Sequence, residues 1–185
     1  MKHWTGAHSA TFMAPRRAIP SVQRTPHRDH AWLPWWPVAP RLGGGAGIGF
    51  GTGIAPNEHV ALLEEQGVKA ILSLTHEPQV PRNGWVRKLH PLPGLMPPRD
   101  IAEMEHLVDW IEQQRARGTV YVHCLAGKGR TGTILAGWLM KQRDWTATEA
   151  INHLRYRQPA AVESPEQEAF LEQYERHLTR QRTLG

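Results

Sequence analysis

The sequence contains a single cysteine, Cys124, among 185 residues, and this scarcity excludes an intrachain disulfide. A chain of this length can bury a core without disulfide support, and so few thiols are typical of a reducing compartment. No apolar run approaches the roughly 18 residues of a membrane span. We therefore expect a soluble, cytoplasmic, monomeric protein whose lone thiol is either an inert core residue or a reactive group.

Acidic residues are almost absent from the first 50 positions, where six Lys and Arg residues accompany only Asp29. Of the 22 basic and 17 acidic residues, the rest of the chain therefore carries 16 of each. The excess charge describes an N-terminal arm, so it does not indicate a stable nucleic-acid partner. We interpret residues 1–30 as a basic, disordered extension. The alternatives are a mitochondrial transit segment and a start codon set too early, with Met13 as another start.

The segment after the arm combines clustered tryptophans with prolines and then glycines. The prolines within Trp32–Pro37 argue against an amphipathic membrane helix, so we predict that this segment packs onto the domain. The run from Gly43 to Gly53 has neither the apolar strand before it nor the Lys-Ser/Thr or acidic partner after it that a nucleotide loop requires. We interpret this run as a turn and edge-strand region.

From residue 56 onward the sequence alternates strand and helix patterns and then turns to helices alone. Strands are predicted over residues 68–75, 85–92 and 119–123, and helices over 56–66, 100–117, 131–143 and 146–158, with a last helix opening at Ser164. Capping boxes at Asp100–Glu103 and Thr146–Glu149 mark two of the helix starts, and Gly137 is predicted to permit close helix packing. This order predicts an α/β fold with a central mixed sheet flanked by helices and a helical C-terminal half.

Cys124 lies where a strand passes through a glycine-spaced loop into a helix. Gly127 and Gly129 permit a tight turn in which successive backbone N–H groups converge, and the helix start adds its unpaired N–H groups. Such an electropositive site favours a thiolate over a thiol. Arg130 closes the loop, and its guanidinium can hold two oxygens of a phosphate at once. These residues predict an anion site that contains its own nucleophile.

The segment His123–Gly132, which reads HCLAGKGRTG, resembles the signature loop of the protein tyrosine phosphatase superfamily, and in particular of the small atypical dual-specificity phosphatases. The similarity extends from about Pro56 to the last helix. It implies a phosphatase-type fold for a domain over residues 31–185. It also implies that Cys124 attacks phosphorus to form a phosphocysteine intermediate, without a metal or another cofactor.

The same resemblance implies roles for the other loop residues. Arg130 would stabilise the transferring group, and His123 would hold the loop and lower the thiol pKa. Thr131 would supply a hydroxyl to Cys124 while the intermediate breaks down. The phosphate would be bound by the residues of the loop itself, which are Leu125, Ala126, Gly127, Lys128, Gly129 and Arg130.

The usual proton donor of these phosphatases has no obvious counterpart in the sequence. Gly94 stands where an Asp is expected, and glycine cannot transfer a proton. Two carboxylates are candidates: Asp100, whose alternative role is a helix N-cap, and Glu163, whose alternative is a solvated surface position. Gln167 resembles the residue that positions the hydrolytic water, and its alternative role is in a capping box.

We predict a phosphatase that acts on phosphotyrosine, and less readily on phosphoserine or phosphothreonine, because leaving groups of low pKa need an acid least. RNA 5′-triphosphates are an alternative for the same reason, because a pyrophosphate is a leaving group of low pKa. Lys128 adds a positive charge to the loop and makes phosphoinositides another alternative. A catalytically impaired pseudophosphatase that binds phosphopeptides is a third reading. The expected partner is a phosphoprotein or another phosphomonoester.

Overall fold

The computed structural model describes residues 32–76 and 84–184, so the predicted basic extension over residues 1–30 lies outside the described residues. The elements in chain order are β1 (Trp36–Ala39), β2 (Leu42–Gly45), α1 (Pro56–Glu65), β3 (Val68–Ser73), β4 (Val86–Leu89), α2 (Ile101–Arg115), β5 (Thr119–His123), α3 (Gly129–Arg143), α4 (Ala147–Arg155) and α5 (Pro165–Leu184). Each predicted strand and helix is therefore present, with β3 and β4 shorter than predicted.

The strands form one mixed sheet in the order β1-β2-β5-β3-β4. β1 runs antiparallel to β2, whereas β2, β5, β3 and β4 all run parallel to one another. The predicted α/β class and mixed sheet are confirmed. Because the four parallel strands end at the same edge, the loops that follow them meet there. Ligands of such sheets bind at this edge.

The first glycines of the glycine-rich run lie in a different place from the one predicted. Gly43–Gly45 belong to β2, which is paired on both sides, so the edge-strand interpretation is wrong for them. Tryptophan rings occupy the space where their side chains would be. A Cβ on Gly43 would lie 2.3 Å from the Trp35 ring, and one on Gly44 would lie 2.6 Å from the Trp36 ring. The same contacts confirm that the tryptophan segment packs onto the domain.

Helix α3 lies at the centre of the main core. Residues 131–140 are all buried, because α3 packs against the sheet and against α2, α4 and α5. Gly137 permits the close approach of α2, as predicted, since a Cβ there would lie 2.6 Å from the Met104 sulfur. Burial of α3 anchors the loop at its N-terminus. Of the helices described, none combines the length and the hydropathy needed to cross a membrane.

The helix starts agree with the predicted caps, with one difference. Thr146 and Glu149 form the reciprocal capping box of α4. At α2 the Asp100 carboxylate accepts a hydrogen bond from the Glu103 N–H. The Glu103 carboxylate, however, accepts from the N–H of Arg99 and not from that of Asp100. The predicted box at α2 is therefore one-sided, with its second bond made one residue earlier.

Candidate active site

The loop after Cys124 joins β5 to α3, as the sequence predicts. β5 is the middle strand, so the loop lies at the centre of the edge where the parallel strands end. Cys124 itself is 3% exposed. Gly127 has a φ of 70°, and a Cβ there would lie 2.2 Å from the carbonyl carbon of Gly45. This position requires glycine, which brings the loop backbone directly against β2.

The other residues of the predicted phosphate site differ in exposure. Leu125 is exposed, and its carbonyl accepts a hydrogen bond from the Gly47 N–H at 3.0 Å. Ala126 and Lys128 are partly exposed. α3 begins at Gly129, two residues earlier than predicted. The first N–H groups of α3, which have no partner within the helix, therefore belong to the loop, which favours anion binding there.

Arg130 lies in the first turn of α3 and reaches back to the loops after two strands. Its Nη1 donates to the Leu74 carbonyl at 3.1 Å and to the Leu92 carbonyl at 2.9 Å. Leu74 follows β3, and Leu92 comes shortly after β4. These bonds use one nitrogen of the guanidinium and orient its plane. The other two nitrogens are the ones that would form the predicted bidentate grip on an oxyanion.

His123, the last residue of β5, is buried and neutral. Its Nδ1 lies 3.1 Å from the Cys124 carbonyl oxygen, and its Nε2 lies 2.6 Å from the Ser73 Oγ. Burial lowers the pKa of His123 to about 4, so the ring carries one proton at neutral pH. Because a carbonyl only accepts, Nδ1–H donates to Cys124 and Nε2 accepts from the Ser73 hydroxyl. His123 thus holds the loop through hydrogen bonds, and its predicted effect on the thiol pKa stays a prediction.

Thr131, also in the first turn of α3, is fully buried. Its Oγ1 has no hydrogen-bond partner among the described residues, whereas the Oγ1 of Thr133 donates to the Gly129 carbonyl at 2.8 Å. A buried hydroxyl without a partner costs about 1–3 kcal/mol. Such a cost is understandable where the hydroxyl serves a reacting group. The role of Thr131 toward Cys124 stays a prediction that this geometry supports.

Two residues at the start of α5 reach the loop. The Glu163 Oε2 accepts a hydrogen bond from the Gly129 N–H at 2.8 Å. Gln167 is fully buried. Its Oε1 accepts from the N–H groups of Glu163 at 2.9 Å and Ser164 at 3.3 Å, and the Ser164 Oγ accepts from the Gln167 N–H at 3.2 Å. The capping box is thus formed, while the Gln167 Nε2 lacks a partner within the described ranges. The structure brings both predicted residues to the phosphate loop.

Asp100, the other carboxylate candidate, is engaged as the N-cap of α2. Its Oδ1 accepts from the Glu103 N–H at 2.8 Å, and its Oδ2 lies 3.3 Å from the Arg99 Nε. The backbone hydrogen bond from Glu103 lowers the pKa of Asp100. Asp100 is thus engaged at the start of α2, whereas the Glu163 carboxylate contacts Gly129 of the loop, and this difference in position favours Glu163 as the general acid.

Two residues that position the site carry no signal in the sequence. Trp36 in β1 donates its indole N–H to the Gly127 carbonyl at 3.2 Å, across 91 positions of the chain. Arg155 in α4 donates to the carbonyls of residues 161 and 162 at 3.0 and 2.8 Å. That turn directly precedes Glu163. Neither contact belongs to a short motif, because each depends on how distant elements pack.

A buried thiol, a backbone loop that opens a helix and an arginine in the first turn define a class of cysteine-based oxyanion sites. Residues 53–177, about two thirds of the chain, match the family model of the dual specificity phosphatase catalytic domain. The chain therefore belongs to the dual-specificity phosphatases, within the protein tyrosine phosphatase superfamily.

Individual relatives match shorter stretches. The chain is similar to tyrosine-protein phosphatase cdc-14 of Caenorhabditis elegans, with 46% identity over 56 residues, which is 30% of this chain and 8% of that protein. It is similar to protein-tyrosine-phosphatase IBR5 of Arabidopsis thaliana, with 26% identity over 119 residues, 63% of this chain and 44% of that protein. The crystal structure of human DUSP28 has a similar fold, with a TM-score of 0.67 and 24% identity over 80% of this chain and 96% of that one. The chain thus spans less than half of these curated relatives.

Proposed function

We propose that this chain is a phosphatase that hydrolyses phosphotyrosine, and phosphoserine and phosphothreonine less readily, through a phosphocysteine intermediate. The observation that carries the proposal is the hydrogen bond from the Gly129 N–H to the Glu163 carboxylate at 2.8 Å. This contact supports the proposal because it holds a carboxyl group against the loop that contains Cys124 and leads to Arg130. The site thereby contains a nucleophile, an oxyanion clamp and a carboxyl group, although Gly94 removes the usual acid.

In the first step the Cys124 thiolate attacks phosphorus while the bond from phosphorus to the leaving oxygen breaks. Backbone N–H groups of the loop and two guanidinium nitrogens of Arg130 stabilise the charge on the phosphoryl oxygens. The phosphate competes for the Gly129 N–H and so releases the Glu163 carboxyl. Glu163 in its protonated form then gives its proton to the leaving oxygen.

In the second step water attacks the phosphocysteine. The Gln167 Nε2 donates to that water, and the Glu163 carboxylate takes its proton. The bond from phosphorus to sulfur breaks, which returns inorganic phosphate and the thiolate, and the Thr131 hydroxyl donates to the departing sulfur. Two observations support these roles: among the described residues, neither the buried Nε2 of Gln167 nor the buried Oγ1 of Thr131 has a hydrogen-bond partner.

The missing Asp at position 94 supports aryl phosphates as the better substrates. The phenol of tyrosine has a pKa of about 10, whereas the alkyl hydroxyls of serine and threonine are much weaker acids. An alkoxide therefore needs a proton in the transition state far more than a phenoxide does. One carboxyl that both gives and takes the proton suffices for phosphotyrosine and serves phosphoserine less well.

Lys128 supports a second candidate function, on polyanionic substrates such as phosphoinositides or RNA 5′-triphosphates. It is partly exposed at the N-terminus of α3, where its charge would meet a second phosphate. If so, Lys128→Gln should raise KM for a bisphosphorylated substrate about 10-fold more than for p-nitrophenyl phosphate. Equal effects on both substrates would favour phosphotyrosine.

Turnover of p-nitrophenyl phosphate tests the main proposal. Cys124→Ser should abolish turnover. With phenyl phosphate, whose leaving oxygen needs a proton, Glu163→Gln should lower kcat about 100-fold and flatten one limb of the pH profile. Asp100→Asn is the matched control, because it neutralises the other candidate carboxylate, and it should keep kcat within about 3-fold. A wild-type protein that binds phosphotyrosine without any turnover would establish the pseudophosphatase instead. If both limbs of the pH profile of kcat persist unchanged in Glu163→Gln, then Glu163 is not the residue that carries the proton.

A further inference from the structure

Trp36 holds a carbonyl group of the phosphate loop from within the core. Its side chain is 2% exposed, and its Nε1–H donates to the Gly127 carbonyl at 3.2 Å. β1 is kept beside the loop because it pairs with β2, whose last residue, Gly45, lies against Gly127. The contact is therefore built into the sheet and does not depend on a surface side chain.

This hydrogen bond determines which way one peptide unit of the loop faces. The Gly127 carbonyl and the Lys128 N–H belong to the same trans peptide, so they point in opposite directions. Because the carbonyl points to the buried indole, the Lys128 N–H points away from that indole, so it can serve the anion site proposed for this loop. A flipped peptide would instead present a carbonyl oxygen to the phosphate. Gly127, at a φ of 70°, has the conformational freedom that such a flip requires.

We infer that Trp36 is a positioning residue that locks the Gly127–Lys128 peptide in its oxyanion-binding orientation, an inference that rests on the proposed function of the same loop. Without the indole N–H, the Gly127 carbonyl is buried without a partner, and flipping relieves that cost. Trp36 thus sets the oxyanion affinity of the loop without contacting the substrate.

Calorimetric titration of the full chain with tungstate tests this inference. Trp36→Phe keeps an aromatic ring but removes the N–H, and it should weaken tungstate binding about 2- to 10-fold, the range of one hydrogen bond. Trp138→Phe is the matched control. Trp138 is as deeply buried, at 1% exposure, and its Nε1–H donates to the Glu112 carboxylate at 3.0 Å, on the α2 side of α3. Its replacement should leave tungstate affinity within about 2-fold.

A second measurement needs no variant and therefore does not depend on whether Trp36→Phe folds. In the 15N-labelled wild-type chain, the indole N–H resonance of Trp36 should shift on tungstate binding, and that of Trp138 should not. Wild-type protein that fails to bind tungstate would sink the proposed function itself. Tungstate binding that leaves the Trp36 resonance in place and is equally tight in Trp36→Phe would overturn the positioning role alone.

Discussion

Replacing Gly94 by Asp should install a general acid at the position where the sequence resemblance leads one to expect it. Gly94 lies two residues after Leu92, whose carbonyl accepts from the Arg130 Nη1 at 2.9 Å. Two Cα steps put it within about 7.6 Å of that anchor. Among the described residues, no atom lies within 4 Å of a Cβ built on Gly94, and its φ is not positive. An Asp therefore fits at this position without displacing a neighbour.

The size of the effect depends on the leaving group. General acid catalysis contributes about 10²- to 10⁴-fold when the leaving oxygen needs a proton. We expect an effect at or below the lower end of this range, because the loop at Gly94 is exposed and Glu163 is proposed to serve the same step. For phenyl phosphate, kcat/KM should rise about 10- to 100-fold, whereas for p-nitrophenyl phosphate, whose leaving group departs unaided, it should change less than about 3-fold. The quantity to measure is therefore the ratio of kcat/KM for phenyl phosphate to kcat/KM for p-nitrophenyl phosphate.

Gly94→Asn is the matched control for this prediction. It adds nearly the same volume to the same open position, but an amide cannot transfer a proton to a phenoxide leaving group. The reasoning would be refuted by an Asp variant with the wild-type ratio of kcat/KM values, or by an Asn variant whose ratio rises as much. Thermal unfolding of all three proteins would show that the comparison is made on folded enzyme.

The remaining predictions concern the pH dependence of stability, the turn that directly precedes Glu163, and the oxidation of Cys124. Folding lowers the pKa of His123 from 6.5 to about 4, so the unfolded chain binds this proton more tightly than the folded chain does. The free energy of unfolding therefore keeps its full value with respect to this residue above pH 6.5. It falls by about 3 kcal/mol as the pH drops through 4. Urea unfolding between pH 7.5 and 3.5 should show this slope in the wild type and not in His123→Asn, and parallel slopes would contradict it. Arg155→Met should release the turn before Glu163, because the guanidinium donates to two carbonyls of that turn. The variant should lower kcat about 10-fold with little effect on KM and move the acid limb of the pH profile. If that limb does not move, Arg155 contributes to stability alone. Peroxide should inactivate the enzyme at Cys124, and dithiothreitol should restore it, because without a second cysteine the product is a sulfenamide or a mixed disulfide; activity that never returns would disprove this.

The loop could be predicted from the sequence because its physics is local. A strand end, two glycines, an arginine and a helix start within ten residues predict a loop between a strand and a helix, and residues 124–128 lie between β5 and α3 in that way. The same holds for the helix starts at Thr146 and Ser164, whose capping partners lie three residues away. Even here a detail differs, since the Glu103 carboxylate accepts from the N–H of Arg99 and not from that of Asp100.

The parts that the sequence did not reveal depend on long-range packing. Glu163 lies 34 residues from Gly129, and only the packing of α5 against α3 shows that it reaches the loop. The glycines of β2 look like a turn in sequence. They form an interior strand because the Trp35 and Trp36 rings occupy their side-chain space. No local pattern encodes that pairing.

Arg130 has a consequence for the choice of variants that capture substrates. One guanidinium nitrogen joins the chain after β3 to the chain after β4, through the carbonyls of Leu74 and Leu92. An Arg130 variant therefore loses the hydrogen bonds that hold these two segments together as well as the contacts to phosphate. The measured loss of rate then combines both effects. Cys124→Ser replaces one buried sulfur by oxygen and keeps those ties. It is the variant with which a bound phosphoprotein could be retained and identified from a cell extract.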